Sequence, residues 1–178
     1  MSRKRCGHRS AAALLVLASA VLPFASAAAE PPPGTLLVST IGIDSQACGR
    51  ADNPCRSITR AIANAREGDN VLVEAGQYGD LNRDGDQSDP GEEQTTPGEC
   101  AICIRKRVSI YSTHGAAVTG ITHVVGHVVT IFADGVNFGA RDRGFTLNGL
   151  LGGTLTVELA GNVRIVGNVA RRGSVGFF

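Results

Sequence analysis

Three neighbouring stretches decide how this chain is read: Gly144-Phe-Thr-Leu-Asn-Gly149, Gly153-Thr-Leu-Thr-Val-Glu-Leu159 and Gly161-Asn-Val-Arg-Ile-Val-Gly-Asn168. Each is a run of about five strand-forming residues closed by Gly or Asn, which tolerate the backbone angles of a sharp turn. Such strands in tight succession suggest a sandwich, a barrel or a β-solenoid. The runs are nearly continuous in apolar residues rather than alternating, as in strands of parallel sheets. They read as successive faces of stacked coils. Similar runs lie at 107–111 and 128–132, and glycine is abundant, at 23 residues. No helical periodicity appears after residue 101.

Upstream the texture differs. Residues 35–43 and 70–74 read as strands, and 44–54 as a polar loop. Ser57 opens a short helix as its N-cap. Ile58, Ala61, Ile62 and Ala65 recur at helical spacing, and Gly68 ends the helix.

The order of motifs here is specific. Gly42-Ile-Asp44, Cys48-Gly49, Asn53-Pro54-Cys55-Arg-Ser57-Ile58, Ala61-Ile62-Ala-Asn-Ala65, Gly68-Asp69 and Val71-Leu-Val73-Glu-Ala-Gly76-Gln-Tyr78 follow one another. This resembles the opening of secreted right-handed parallel β-helix proteins of the pectate-lyase-like superfamily, over about residues 36–78. The resemblance implies an all-β, right-handed parallel β-helix (solenoid) with a short N-terminal capping helix. The helix would lie across the apolar end that a solenoid otherwise exposes. At about 20–25 residues per coil, residues 101–178 supply three or four coils. The final Ser174-Val-Gly-Phe-Phe178 offers no polar cap, so further coils or a covering partner are expected.

The N-terminus reads as an export signal. Arg3, Lys4, Arg5 and Arg9 precede the uncharged apolar run 11–24, and Ala27-Ala28-Ala29 offers a small-x-small cleavage site. The expected organisation is a signal peptide at 1–29, a Pro-rich linker at 30–34 and a β-helix domain at 35–178. An acidic insertion occupies 80–99. The apolar run is short for a membrane span, and nothing later resembles one. The whole chain carries a formal charge of +1. Cleavage leaves 17 − 4 = 13 basic residues against 16 acidic ones, or −3. That balance argues against a nucleic-acid partner. The expected location is extracellular or periplasmic.

Cleavage removes Cys6 and leaves Cys48, Cys55, Cys100 and Cys103. In an oxidising compartment these read as disulfides. Cys48–Cys55 and Cys100–Cys103 are the favoured pairs, since each brackets a short loop. A four-cysteine zinc site and a redox CxxC are the alternatives, and the spacings suit a zinc ribbon poorly.

Within the insertion, Asp80, Asn82, Asp84, Gly85, Asp86 and Ser88 match the start of an EF-hand or dockerin-type calcium loop. Oxygens fall at positions 1, 3 and 5, a glycine at 6, a carbonyl at 7 and a hydroxyl at 9. Position 12 departs from the pattern: it is Gly91, with Glu92 and Glu93 one and two residues late. A calcium-stabilised loop is expected, and a plain solvated acidic loop is the alternative.

The resemblance also implies a lyase with a basic residue as base, or a hydrolase with paired carboxylates. Arg105, Lys106, Arg107, Asp134, Arg141, Asp142, Arg143, His114, His123, His127 and Ser112 are the candidates, and each reads more simply as surface charge or a solvated strand position. The first expectation is therefore a secreted carbohydrate-binding or surface structural module. A polysaccharide lyase or hydrolase, or a calcium-dependent adhesion module, are the alternatives.

Overall fold

A computed structural model describes residues 34–87, 89–93 and 100–178. The expected signal peptide at 1–29, residues 30–33 of the expected linker, Ser88 and residues 94–99 lie outside the described residues. One helix, α1 (Ile58–Asn64), stands among thirteen strands: β1 (Thr35–Val38), β2 (Asn70–Val73), β3 (Gly76–Gly79), β4 (Cys100–Ile104), β5 (Ser109–Ser112), β6 (Thr119–His123), β7 (His127–Ile131), β8 (Asn137–Phe138), β9 (Thr146–Gly149), β10 (Gly153–Val157), β11 (Arg164–Ile165), β12 (Val169–Arg171) and β13 (Ser174–Phe177).

The strands form three sheets, ordered β1-β2-β5-β8-β11, β3-β6-β9-β12 and β4-β7-β10-β13. Every strand pair is parallel. The chain visits the three sheets in rotation, as in a parallel β-solenoid. Ser109 pairs with Asn137 and Asn137 with Arg164, so successive coils take 28 and 27 residues. That is a little longer than the sequence suggests, because the corners are longer.

In-register stacking places each side chain over its counterpart in the next coil. One apolar position therefore requires apolar residues at that position throughout. The sequence meets this requirement in columns. Val71, Ile110, Phe138 and Ile165 form one. Tyr78, Ile121 and Leu147 form the second. Ile102, Val129 and Leu155 form the third, beside Ile104, Ile131 and Val157. All of these except Ile165 are buried, and the Phe138 and Phe145 rings stack at 4.9 Å between centroids. In the last coil Val175, Phe177 and Phe178 are exposed.

Coils approach closely at β3. A Cβ on Gly79, which has φ +95°, would collide with the Thr122 carbonyl oxygen of the next coil. Glycine is the residue that combines this angle with this approach.

The helix starts where the sequence places it. Ser57 Oγ accepts from the Arg60 amide at 3.1 Å, and Ile58, Ala61 and Ile62 are buried against the core. Two disulfides close, Cys48–Cys55 and Cys100–Cys103. The four sulfurs are thereby unavailable for zinc. The bonds fit a non-cytosolic setting. Among the described residues, no helix is long and apolar enough to cross a membrane.

Candidate functional site: an acidic loop and a polar groove

Asp80 follows β3 directly, and its amide donates to the Thr122 carbonyl at 2.9 Å. The next residues wind into a tight loop around side-chain oxygens. Asp80 Oδ1 accepts from the Arg83 amide at 2.6 Å and Oδ2 from the Gly85 amide at 3.1 Å. Asn82 Oδ1 accepts from the Asp84 amide, and Asp84 Oδ1 from the Asp86 amide, each at 3.0 Å. Arg83 and Gly85 take φ of +65° and +93°. Asn82 Nδ2 donates to Asp84 Oδ2 at 2.9 Å and Asp89 Oδ2 at 2.6 Å.

Glu92 closes this loop. Its Oε1 accepts from the Leu81 and Asn82 amides at 2.7 and 3.2 Å. Its Oε2 is buried and has no hydrogen-bond partner. Ser88, the expected ligand at the ninth position, lies outside the described residues. Asp80, Gln87, Glu92 and Glu93 are buried, while Leu81, Asn82, Arg83, Asp84 and Asp86 are exposed.

Glu93 turns the other way, onto α1. Its Oε1 accepts from the Ile58 amide at 2.8 Å, and its Oε2 from the Thr59 amide at 2.7 Å and the Thr59 hydroxyl at 2.6 Å. These are first-turn donors that the helix itself cannot satisfy. Asp44 supports the same helix start. It accepts from the Arg56 and Ser57 amides and from the Ser57 hydroxyl. At the other helix end, Lys106 Nζ donates to the carbonyls of Ile62, Ala63 and Ala65. Asp44, Cys48 and Cys55 bring potential ligand atoms together, but the sulfurs are in a disulfide and the carboxylate is engaged by three donors.

The basic and acidic candidates do not converge. Lys106 holds the helix end. Arg105 lies over the Phe132 ring, and Arg143 lies over Tyr111 with Nε donating to the Ser112 carbonyl. Asp134 accepts from the Gly161 amide, and Ser112 Oγ from the Gly115 amide. Arg107 faces Glu67 at 3.9 Å. Arg141 and Asp142 are exposed. His114 is exposed and pairs with the Thr113 hydroxyl. His127 is half-buried over Gly153. His123 departs from its expected solvated position. It is buried with neither ring nitrogen partnered, and burial holds its imidazole pKa below the ordinary value against the pull of Asp80.

A feature missed in the sequence lies on the sheet of β3, β6, β9 and β12. A cavity of about 240 Å³ is lined there by Gln77, Thr119, Thr146, Asn148 and Arg171, with Gly120 among them. Gln77 pairs with Gly120 and Gly120 with Thr146, while Asn148 pairs with Arg171. One coil after another thus contributes a polar group. A Cβ on Gly120 would meet the Gln77 carboxamide as it now lies. Thr146 Oγ1 donates to the Ala116 carbonyl at 2.7 Å. The Thr119 hydroxyl is buried and unpartnered. The signal that would have found this groove is polar residues recurring at the coil length, and it needs the strand register to be read.

No family model, curated protein or solved structure matches the chain.

Proposed function

We propose that this is an exported right-handed parallel β-helix, with α1 as its N-terminal cap, that binds an acidic polysaccharide in the groove over β3, β6, β9 and β12. The groove carries this reading. Two carboxamides, the Thr146 hydroxyl and a guanidinium sit on one sheet and follow the stacking direction, where a linear ligand would meet one coil after another. Carboxamides and hydroxyls suit sugar hydroxyls as both donors and acceptors. Arg171 adds a planar fork that matches a uronate carboxylate. Lys106, Arg105, Arg107 and Arg143 hold structural partners, which favours binding over bond cleavage. The two disulfides and the signal-like N-terminus support export.

Calorimetric titration with galacturonate or alginate oligomers, beside a neutral oligosaccharide of equal length, tests the reading. The acidic oligomers are expected to bind more tightly. Arg171 is exposed, so Arg171→Ala should fold normally and weaken acidic-oligomer binding roughly ten-fold, as loss of a charge-assisted hydrogen bond implies. Absence of binding to either class by the wild type would overturn the proposal.

A further inference from the structure

Resting on the polysaccharide reading, we infer that the groove selects an oligosaccharide with a single uronate, seated at Arg171, and neutral hydroxyl-bearing units over β9 and β6.

Charge in the groove is confined to one end. Among the described residues that line it, Arg171 alone is charged. It lies on β12, in register with Asn148 of β9. Thr146 of β9 is in register with Gly120 of β6, and Gly120 with Gln77 of β3. Parallel strands lie about 4.8 Å apart, close to the length of one pyranose unit. A chain that follows the stacking direction therefore sets about one unit over each strand, and one guanidinium meets one carboxylate.

The β9 position is built for a neutral unit. Thr146 and Asn148 are two residues apart on this strand and share its outward face. The Thr146 hydroxyl proton is committed to the Ala116 carbonyl at 2.7 Å, so toward a ligand Oγ1 offers lone pairs only. These accept from a sugar hydroxyl and repel a carboxylate. The flanking Ala116, Ala117 and Val118 add no charge. At β6, Gly120 supplies no side chain, and the Gln77 carboxamide lies beside it, close to where a Cβ would stand. A carboxamide donates and accepts without carrying charge, which again matches hydroxyls. The groove thus has one position that reads an acid, followed by two that read hydroxyls.

The test is calorimetric titration of the protein with trisaccharides that carry a uronate at one end, at the other end, at every position and at none. The better of the two singly acidic isomers should bind at least as tightly as the tri-uronate. It should bind roughly ten-fold more tightly than the neutral trimer, as one charge-assisted hydrogen bond implies. In Arg171→Ala the singly acidic trimer should fall to the neutral level. Thr146→Val removes the acceptor lone pairs and should shift the preference toward the tri-uronate. A tri-uronate that binds about ten-fold more tightly than either singly acidic isomer overturns the inference and leaves the polysaccharide reading standing. Failure of every trimer to bind overturns both.

Discussion

Glu93→Ala is expected to destabilise the protein by about 2–4 kcal/mol, measured by urea unfolding. The side chain is 1% exposed and accepts from three donors, all on the first residues of α1. Truncation would leave the Ile58 and Thr59 amides unpaired at once and the Thr59 hydroxyl with only the more distant Ala101 carbonyl. It would also release the insertion from the helix, thirty-five residues away in sequence. Glu93→Gln keeps one carbonyl acceptor and should recover part of the loss.

The same carboxyl gives a pH signature. Burial pushes it up to about 7, while the hydrogen bonds from Thr59 and Ile58 pull it down. In the unfolded chain it titrates near 4.5. Between these values the folded chain holds a proton that the unfolded chain has released. Its stabilising contribution is therefore complete below about 4.5 and is lost as pH rises through about 7. The Thr59 hydroxyl can reverse its hydrogen bond when the carboxyl is protonated. Wild-type stability should decline across that interval more steeply than that of Glu93→Gln. Parallel slopes would contradict the assignment.

Phe138→Ala should cost about 3–5 kcal/mol, the range for removing a fully buried aromatic ring. Phe138 is 0% exposed, pairs with Ile110 on one side and Ile165 on the other, and stacks on Phe145. Its strand is two residues long, so backbone pairing alone holds it weakly and the column of side chains does most of the work. Phe138→Leu preserves most of the volume and should cost less than half as much. A loss below about 1 kcal/mol for the alanine variant would mean that the column is not the core.

These two residues show what the sequence made legible and what it hid. The Ser57 cap and the Asn70–Val73 strand are local patterns, and both form; the helix stops at Asn64, short of Gly68, because Ala65 is already extended. The disulfides were legible because each closes a short loop. β3 was hidden because Gly76-Gln-Tyr-Gly79 has the composition of a turn, and β6 because Thr119-Gly-Ile-Thr-His123 lacks a sustained apolar run. Their strand character comes from stacking on neighbouring coils, a non-local cause. Residues 35–43 have the composition of one strand, yet β1 stops at Val38. The cap by Glu93 was illegible because no local pattern records a contact across thirty-five residues. His123 shares the inward parity of Ile121 on β6, and its burial is hidden in the sequence because that strand itself is. The turn after Asp80 is local, since Asp80, Asn82 and Asp84 accept amides two to five residues on. Glu92 falls outside the local pattern, and its acceptance of the Leu81 and Asn82 amides ten and eleven residues away is a contact that no local pattern records.

The groove is most directly tested by adding a galacturonate oligomer to isotope-labelled protein and following amide chemical shifts. The account predicts shifts concentrated at Gln77, Thr119, Gly120, Thr146, Asn148 and Arg171, with the far sheet of β4, β7 and β10 unmoved. Saturable binding whose shifts fall on another face, or no shifts at all, would contradict it.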